Sequence, residues 1–412
     1  MEKGEMGMGE KISATLITVG NEVLFGETVD TNAAFMGRLL TEAGVDIKRK
    51  ISVPDDIRAI AREIRQSVSD ILILTGGLGP TTDDLTREAL ALAFKVKLCE
   101  GPRQRKRLLA FFRRFRRPLA QCNFRQAMVP QGFTALDNSA GTAPVLFKRR
   151  PFIFALPGVP HEMEAAMRET VIPGIKAAFH LPPIHHVEIK TLGIGESSLQ
   201  ERIQDLKPPP SVTLAFLPEF SGVMIRLSGK DKKELARFAL SIGKRCKEFI
   251  YAGRGETLEG ILLERFVREK RTLAVAESCT GGRISAKLTA IPGSSAYFLG
   301  GVVAYGNSLK QKLLDVPGRI LSQKGAVSGE CALAMAKGVR KRTRADVGLS
   351  ITGIAGPSGG SKEKPVGTVF IAVASGKESR VEKFLLFGKR NQIQERAAYA
   401  ALNMLRRTLI SS

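Results

Sequence analysis

The chain has 412 residues, 43% hydrophobic and 25% charged, and its 63 Lys and Arg against 40 Asp and Glu give a formal net charge of +23. That length exceeds one core and implies two or three domains, while the apolar content excludes a disordered chain. No apolar run approaches the roughly 18 residues of a membrane span, and Cys99, Cys122, Cys246, Cys279 and Cys331 lack the CxxC spacing of metal or redox sites, so a cytoplasmic protein without membrane partners is expected.

Residues 1–11 hold charges and methionines without an apolar core and read as a loose tail, not a signal peptide. From 12 to 178, strand-like runs at 14–19, 45–53 and 71–74 alternate with helix-like runs at 32–43, 57–68 and 86–94. Such alternation predicts βαβ units and a mostly parallel sheet covered on both faces, with its site at the carboxyl ends of the strands. Arg103, Arg105, Lys106, Arg107, Arg113, Arg114, Arg116 and Arg117 surround Leu108, Leu109, Phe112 and Phe115 in an amphipathic helix pattern. A basic helix admits nucleic acid as a partner, but with 4 Tyr and no Trp the chain offers little stacking surface, and a solvated face is the favoured reading.

From 179 to 254 the elements shorten into a small α+β module: strands at 186–192, 212–217 and 223–227, and helices at 197–206 and 230–249. A second α/β block fills 255–412, with strands expected at 272–276, 298–304, 347–352, 366–374 and 381–387 and helices at 282–290, 308–314, 329–343 and 391–409. The fold class is therefore α/β: two three-layer domains with mostly parallel sheets, joined by the α+β module.

Two segments carry chemistry. Residues 75–84 read Thr-Gly-Gly-Leu-Gly-Pro-Thr-Thr-Asp-Asp between a buried strand and a helix. Glycines such as Gly76 and Gly77 let amides approach a ligand, and amides at a helix start favour phosphate oxygens. Asp83 and Asp84, with Glu22 after the first strand, supply hard oxygens for a divalent cation (Mg, Mn or Co) that neutralises a diphosphate. Asn32, Thr75 and Thr81 fall beside them as substrate contacts, and Asp30 and the pair Asp55-Asp56 also sit at strand ends. Read alone, the same loop is a tight turn whose aspartates cap the next helix.

In the second segment, 276–282 (Ala-Glu-Ser-Cys-Thr-Gly-Gly), Ser278 stands between strand and helix beside the amides of Thr280, Gly281 and Gly282, where a nucleophile and its oxyanion hole belong. A serine there is equally an ordinary helix N-cap. All four histidines, His161, His180, His185 and His186, precede this domain, so no Ser-His-Asp triad forms within it. A desolvated lysine is the remaining base, and Lys310 follows the next strand in Tyr305-Gly306-Asn307-Ser308-Leu309-Lys310, while Thr352 and Gly353 open a further glycine loop. Lys310 as a surface lysine is the alternative, since the strand order is not written in the chain.

Thr18-Val19-Gly20-Asn21-Glu22, Asp30-Thr31-Asn32, 75–84, Gly141-Thr142-Ala143-Pro144 and Pro157-Gly158-Val159-Pro160-His161-Glu162 together resemble the amino-terminal domain of the CinA family. Ala276 to Gly282, Val302-Val303-Ala304-Tyr305-Gly306-Asn307 with its lysine, Thr352-Gly353-Ile354-Ala355-Gly356-Pro357 and Gly388-Lys389-Arg390 are similar to that family's carboxyl-terminal domain. The resemblance implies a molybdopterin-domain-like fold with metal-dependent ADP-ribose pyrophosphatase activity, a KH-like middle module without a clear Gly-x-x-Gly clamp, and a nicotinamide mononucleotide amidohydrolase needing no cofactor. It implies Ser278 as nucleophile, Lys310 as base, Tyr305 and Thr352 assisting, and Arg390 on the substrate phosphate. Val145 stands where the family pattern has glycine and implies a narrower first pocket, and a homodimer is the default assembly. Other classes remain open: a molybdopterin-binding protein, or a competence-related partner of nucleic acid or recombination proteins without essential catalysis.

Overall fold

A computed structural model describes residues 12–410 apart from 117, 221 and 377. The tail expected at 1–11 and Arg117 of the basic run lie outside the described residues. The chain divides into two compact units, Met1–His185 and His186–Ser412.

In the first unit, strands β1 (Ser13–Val19), β2 (Asp46–Val53), β3 (Ile71–Thr75), β4 (Thr134–Leu136), β5 (Val145–Lys148) and β6 (Phe152–Leu156) form one sheet of order β2-β1-β3-β6-β5-β4. β2, β1, β3 and β6 are parallel, whereas β5 and β4 run antiparallel at the edge. Strand alternation explains the layers. Ala14, Leu16, Ile71 and Ile73 face a core with Met36, Leu40, Met163 and Ile175, while Ile17, Val19, Leu72 and Leu74 face one with Ile60, Ile64, Ala89 and Leu90. Helices thus cover both faces. The basic run forms the helix Pro102–Arg114, where only Leu108 is buried and Arg103 and Arg107 pair with Asp137. It is a solvated face, as its pattern implied. Val145 lies in the core of β5, not at the pocket, so the narrowing expected from it does not arise.

The second unit opens with a four-stranded sheet, β7 (His185–Thr191), β8 (Val212–Glu219), β9 (Gly222–Gly229) and β10 (Ile250–Ala252), in the order β8-β9-β7-β10. Val223, Ile225 and Leu227 pack beneath the helices Glu196–Ile203 and Lys232–Cys246. The sheet that follows comprises β11 (Leu273–Glu277), β12 (Phe298–Val303), β13 (Val347–Gly353), β14 (Thr368–Ala374) and β15 (Ser379–Leu385), in the order β12-β11-β13-β14-β15. The first three are parallel and the last two antiparallel. Large side chains (Leu273, Val275, Leu349, Ile351) face the helices Leu258–Arg268 and Arg390–Ile410. Small ones (Ala274, Ala276, Ala372) face the helix Gly329–Thr343, which approaches so closely that a Cβ on Gly348 would meet Ala336 O at 2.1 Å. Among the described residues, no helix is long and apolar enough to cross a membrane.

Candidate active sites

Because β11 lies between β12 and β13, three loops open at one sheet edge: Ser278 after β11, Ala304 and Tyr305 after β12, and Thr352 and Gly353 at the end of β13. Lys310, one turn into the helix Asn307–Leu314, is only 1% exposed. Its Nζ lies 3.0 Å from Ser278 Oγ, 2.8 Å from Ala304 O and 3.0 Å from Tyr305 O. A neutral amine has two N–H donors and one lone pair. The two carbonyls accept from it, and the Ser278 hydroxyl accepts from it as well or, once the amine is neutral, donates to its lone pair; among the described residues no carboxylate competes for the amine.

Burial pushes the Lys310 amine below the ordinary lysine range, and the ionisable groups nearest it are the Cys331 and Cys279 thiols. Burial raises both thiols, Cys279 to about 12, so they stay protonated at neutral pH and supply no anion to charge the lysine. The same shift makes Cys279 inert as a nucleophile. A cavity of about 330 Å³ opens over the pair, lined by Tyr305, Asn307, Val327, Gly353, Ser358 and Arg390 among others. Arg390 donates to Gly356 O (2.7 Å) and to the Tyr305 hydroxyl (2.8 Å), which fixes its guanidinium at the cavity wall. Thr352 is buried and donates to Ala326 O at 2.8 Å, so it holds the neighbouring loop.

Glu277 was not recognised from sequence as part of this apparatus. Fully buried, it accepts from Thr280 Oγ1 (2.7 Å), Gly282 N (3.0 Å), Ile284 N (3.1 Å), Ser285 N (2.8 Å) and Ser285 Oγ (2.8 Å). This corrects the expected substrate contacts: Thr280 is buried on Glu277, the Gly282 amide is committed to the same carboxylate, and the Gly281 amide donates to Ser278 O at 3.2 Å. None of the three lines the cavity. The available signal was a charged residue closing an otherwise apolar strand.

In the first unit a pocket of about 640 Å³ sits over the carboxyl ends of the parallel strands and is lined by Glu22, Asn32, Asp55, Thr75, Gly76, Gly77, Thr81, Asp83, Asp84 and Glu162, among others. Gly76 has φ +99° and a Cβ there would stand 2.2 Å from Val19 O, so the glycine is obligatory for this turn. Buried Arg87 donates to Leu78 O (2.7 Å) and Gly79 O (2.6 Å), and Arg125 donates to Thr81 O and to Asp84 O; these two guanidinium groups hold the loop from either side. Asn32 donates to Gly158 O at 2.7 Å, and its buried Oδ1 has no partner. Thr75 is fully buried and donates to Pro157 O, a brace beneath the pocket.

Asp84 departs from the expected ligand set. Its Oδ1 accepts from Gly79 N (2.7 Å), and its Oδ2 from Thr81 N (2.8 Å) and Thr81 Oγ1 (2.5 Å), which makes it the staple of its own loop and occupies Thr81 as well. Asp30 and Asp56 cap helices through Ala33 N and Ala59 N. Asp55, by contrast, faces the pocket with its carboxyl raised by burial and by the nearby Glu22, Asp83 and Asp84, against a lowering bond from Asn21 N. Glu162 is likewise raised by burial. Among the described residues, no three His, Cys, Asp or Glu side chains are placed to share a metal ion, so Glu22, Asp83 and Asp84 do not make a closed protein cage.

Two α/β blocks, one before and one after a small α+β module in the chain, each with a cavity at the carboxyl ends of its parallel strands, define a three-module protein. Residues 15–177 match the probable molybdopterin binding domain, 186–252 the damage-inducible protein CinA KH domain and 255–409 the CinA C-terminal domain. A putative competence-damage inducible protein of Moorella thermoacetica is 40% identical over 409 residues, covering 97% of this chain and 99% of the relative. A CinA-like protein of Citrifermentans bemidjiense is 40% identical over 403 residues, covering 96% and 97%. The solved competence/damage inducible protein CihA of Agrobacterium tumefaciens is 39% identical, covering 37% of this chain and 93% of that one with a TM-score of 0.36. The chain belongs to the CinA family.

Proposed function

We propose that the second unit is a serine–lysine amidohydrolase that converts nicotinamide mononucleotide to nicotinic acid mononucleotide and ammonia. The observation that carries this reading is the buried Lys310 amine 3.0 Å from Ser278 Oγ with no carboxylate among the described residues to hold it charged. Ser278 Oγ attacks the carboxamide carbon as Lys310 takes its proton; the amine then returns that proton to the departing nitrogen, and ammonia leaves an acyl-serine. Water, deprotonated by the same amine, cleaves the ester and restores Ser278. Arg390 at the cavity wall suits the substrate phosphate, since a guanidinium fork matches it. The intact protein is expected to release one ammonia per nicotinic acid mononucleotide formed; a null result across neutral and alkaline pH would reject the assignment.

For the first unit we propose a metal-dependent ADP-ribose pyrophosphatase. Its support is a pocket that gathers Glu22, Asp55, Asp83 and Asp84 over a glycine loop that admits phosphate, where burial first and then the neighbouring carboxylates raise Asp55, a charge density that a divalent cation relieves. Mg²⁺, Mn²⁺ or Co²⁺ would be held by one or two of Glu22, Asp55 and Asp83 together with the diphosphate, a mode that needs no closed protein cage, and would supply charge neutralisation at the bond that breaks. The match to molybdopterin-binding domains favours a pterin phosphate as the second reading. Adding ADP-ribose with each metal should yield AMP and ribose phosphate, and the yield should fall at least tenfold in Asp83→Asn. Absence of AMP with every metal, alongside a pterin co-purifying with the protein, would favour the second reading.

A further inference from the structure

In the second unit, a cavity of about 610 Å³ is lined by Lys244, Arg245, Lys247, Glu248, Arg380, Arg406 and Arg407, a setting of six cations against one carboxylate. It lies where the end of the helix Lys232–Cys246 meets the far end of the helix Arg390–Ile410. Several of these charges are already balanced: Arg245 grips Asp205 at 2.6 Å, Arg380 meets Glu382 at 2.6 Å, Arg407 lies 4.0 Å from Glu382, and Glu248 pairs with Arg202 at 3.0 Å. Among the described residues, Lys244, Lys247 and Arg406 have no carboxylate partner.

Arg406 is the informative one. It is 8% exposed, and among the described residues its hydrogen bonds run from Nε and one Nη to the Asn403 side-chain oxygen, each at 3.1 Å, with the Tyr251 phenol also acting on it. Arginine is seldom buried unless its fork is paired; buried Arg87 bonds two separate carbonyls, whereas Arg406 spends two nitrogens on one amide oxygen, and the adjacent Arg407 adds repulsion. Lysines near a helix end are explained by the helix dipole; a buried guanidinium facing a cationic cavity is not. We infer that this cleft binds a polyphosphate group, free or as the tail of a nucleotide, with Arg406 at its base and Lys244 and Lys247 at its rim. A nucleic-acid strand fits less well, because the cavity lining includes no aromatic ring on which a base could stack.

The test is calorimetric titration of the full chain with inorganic tripolyphosphate, with ATP and with a single-stranded oligonucleotide, each at fixed ionic strength. Arg406→Met removes the buried charge and should fold at least as well as the parent, and Lys247→Glu changes only the rim. Tripolyphosphate affinity should fall about tenfold or more in each variant, the loss of one charge-assisted contact. Binding of ATP tighter than tripolyphosphate identifies a nucleotide tail, and equal binding identifies the phosphates alone; both sustain the inference. Equal affinity of parent and variants would place any binding elsewhere, such as the first unit's glycine loop, and overturn it. So would oligonucleotide binding that depends on Arg406 when tripolyphosphate does not bind.

Discussion

Lys310→Met should deamidate nicotinamide mononucleotide about 10³-fold more slowly than the parent or worse, and Ser278→Ala should match it, because the two groups act as one unit whose losses do not add. Methionine fills the volume of the lysine stem and keeps Ser278 in place, so the expected loss is in kcat with KM little changed. The pH dependence follows from the lowered amine. Only neutral Lys310 accepts a proton, so the parent's activity should decline as pH falls through that lowered pKa and level off above it.

Stability runs with a related sign. The unfolded lysine binds its proton up to a pH of about 10.4, whereas the buried one releases it earlier, so between the two values the unfolded chain holds more protons and stability rises with pH. Below the folded value the cost of the buried charge is present in full. Lys310→Met escapes that cost but leaves Ala304 O and Tyr305 O without their donor. Its melting temperature relative to the parent should therefore improve as pH is lowered from about 10.4 toward the lowered folded value, level off below it, and lose that advantage at strongly alkaline pH. A variant that retains turnover, or whose relative stability does not change with pH, would remove the neutral-amine account.

Glu277→Gln should lower kcat by about 10² and destabilise the unit by about 2–4 kcal/mol, despite never touching substrate. The carboxylate accepts all five of its bonds. An amide keeps one accepting oxygen and turns an NH₂ toward backbone N–H groups that can only donate, although the Thr280 and Ser285 hydroxyls can turn to accept. The loop from Thr280 to Ser285 must then shift, carrying with it the Gly281 amide that steadies Ser278 O. Glu277→Asp, which restores charge with a shorter reach, should recover part of both losses. Unaltered kinetics in a well-folded Gln variant would show the network to be irrelevant to the nucleophile.

Much of this architecture was readable in the chain because each element states its period locally. The continuous apolar run Ile71 to Leu74 and the 329–343 helix needed no tertiary information, and Ser278 and Lys310 stood out once histidine was absent from the domain. What convergence required was the sheet order, with β11 central, and that depends on crossovers that leave no mark on neighbouring residues. Glu277 was passed over because a lone carboxylate after an apolar strand looks exposed, while its five donors follow within eight residues as a chain wrapped back on itself. Asp84 misled for the converse reason: its spacing invites a cation, yet the tight turn of Gly79 and Thr81 brings amide protons to it first. The strands β4, β5 and β10 leave no signal in the sequence, because three or four residues are too short to show a period.

The thiol beside the nucleophile governs how the site ages. Peroxide and alkylating agents attack thiolates, and Cys279, although it lines the cavity, is 5% exposed with its thiol raised by burial to about 12, so it stays protonated at neutral pH. Oxidative stress should therefore find little thiolate to attack beside Ser278, and the proposed deamidase is expected to outlast enzymes that rely on a cysteine for the same bond.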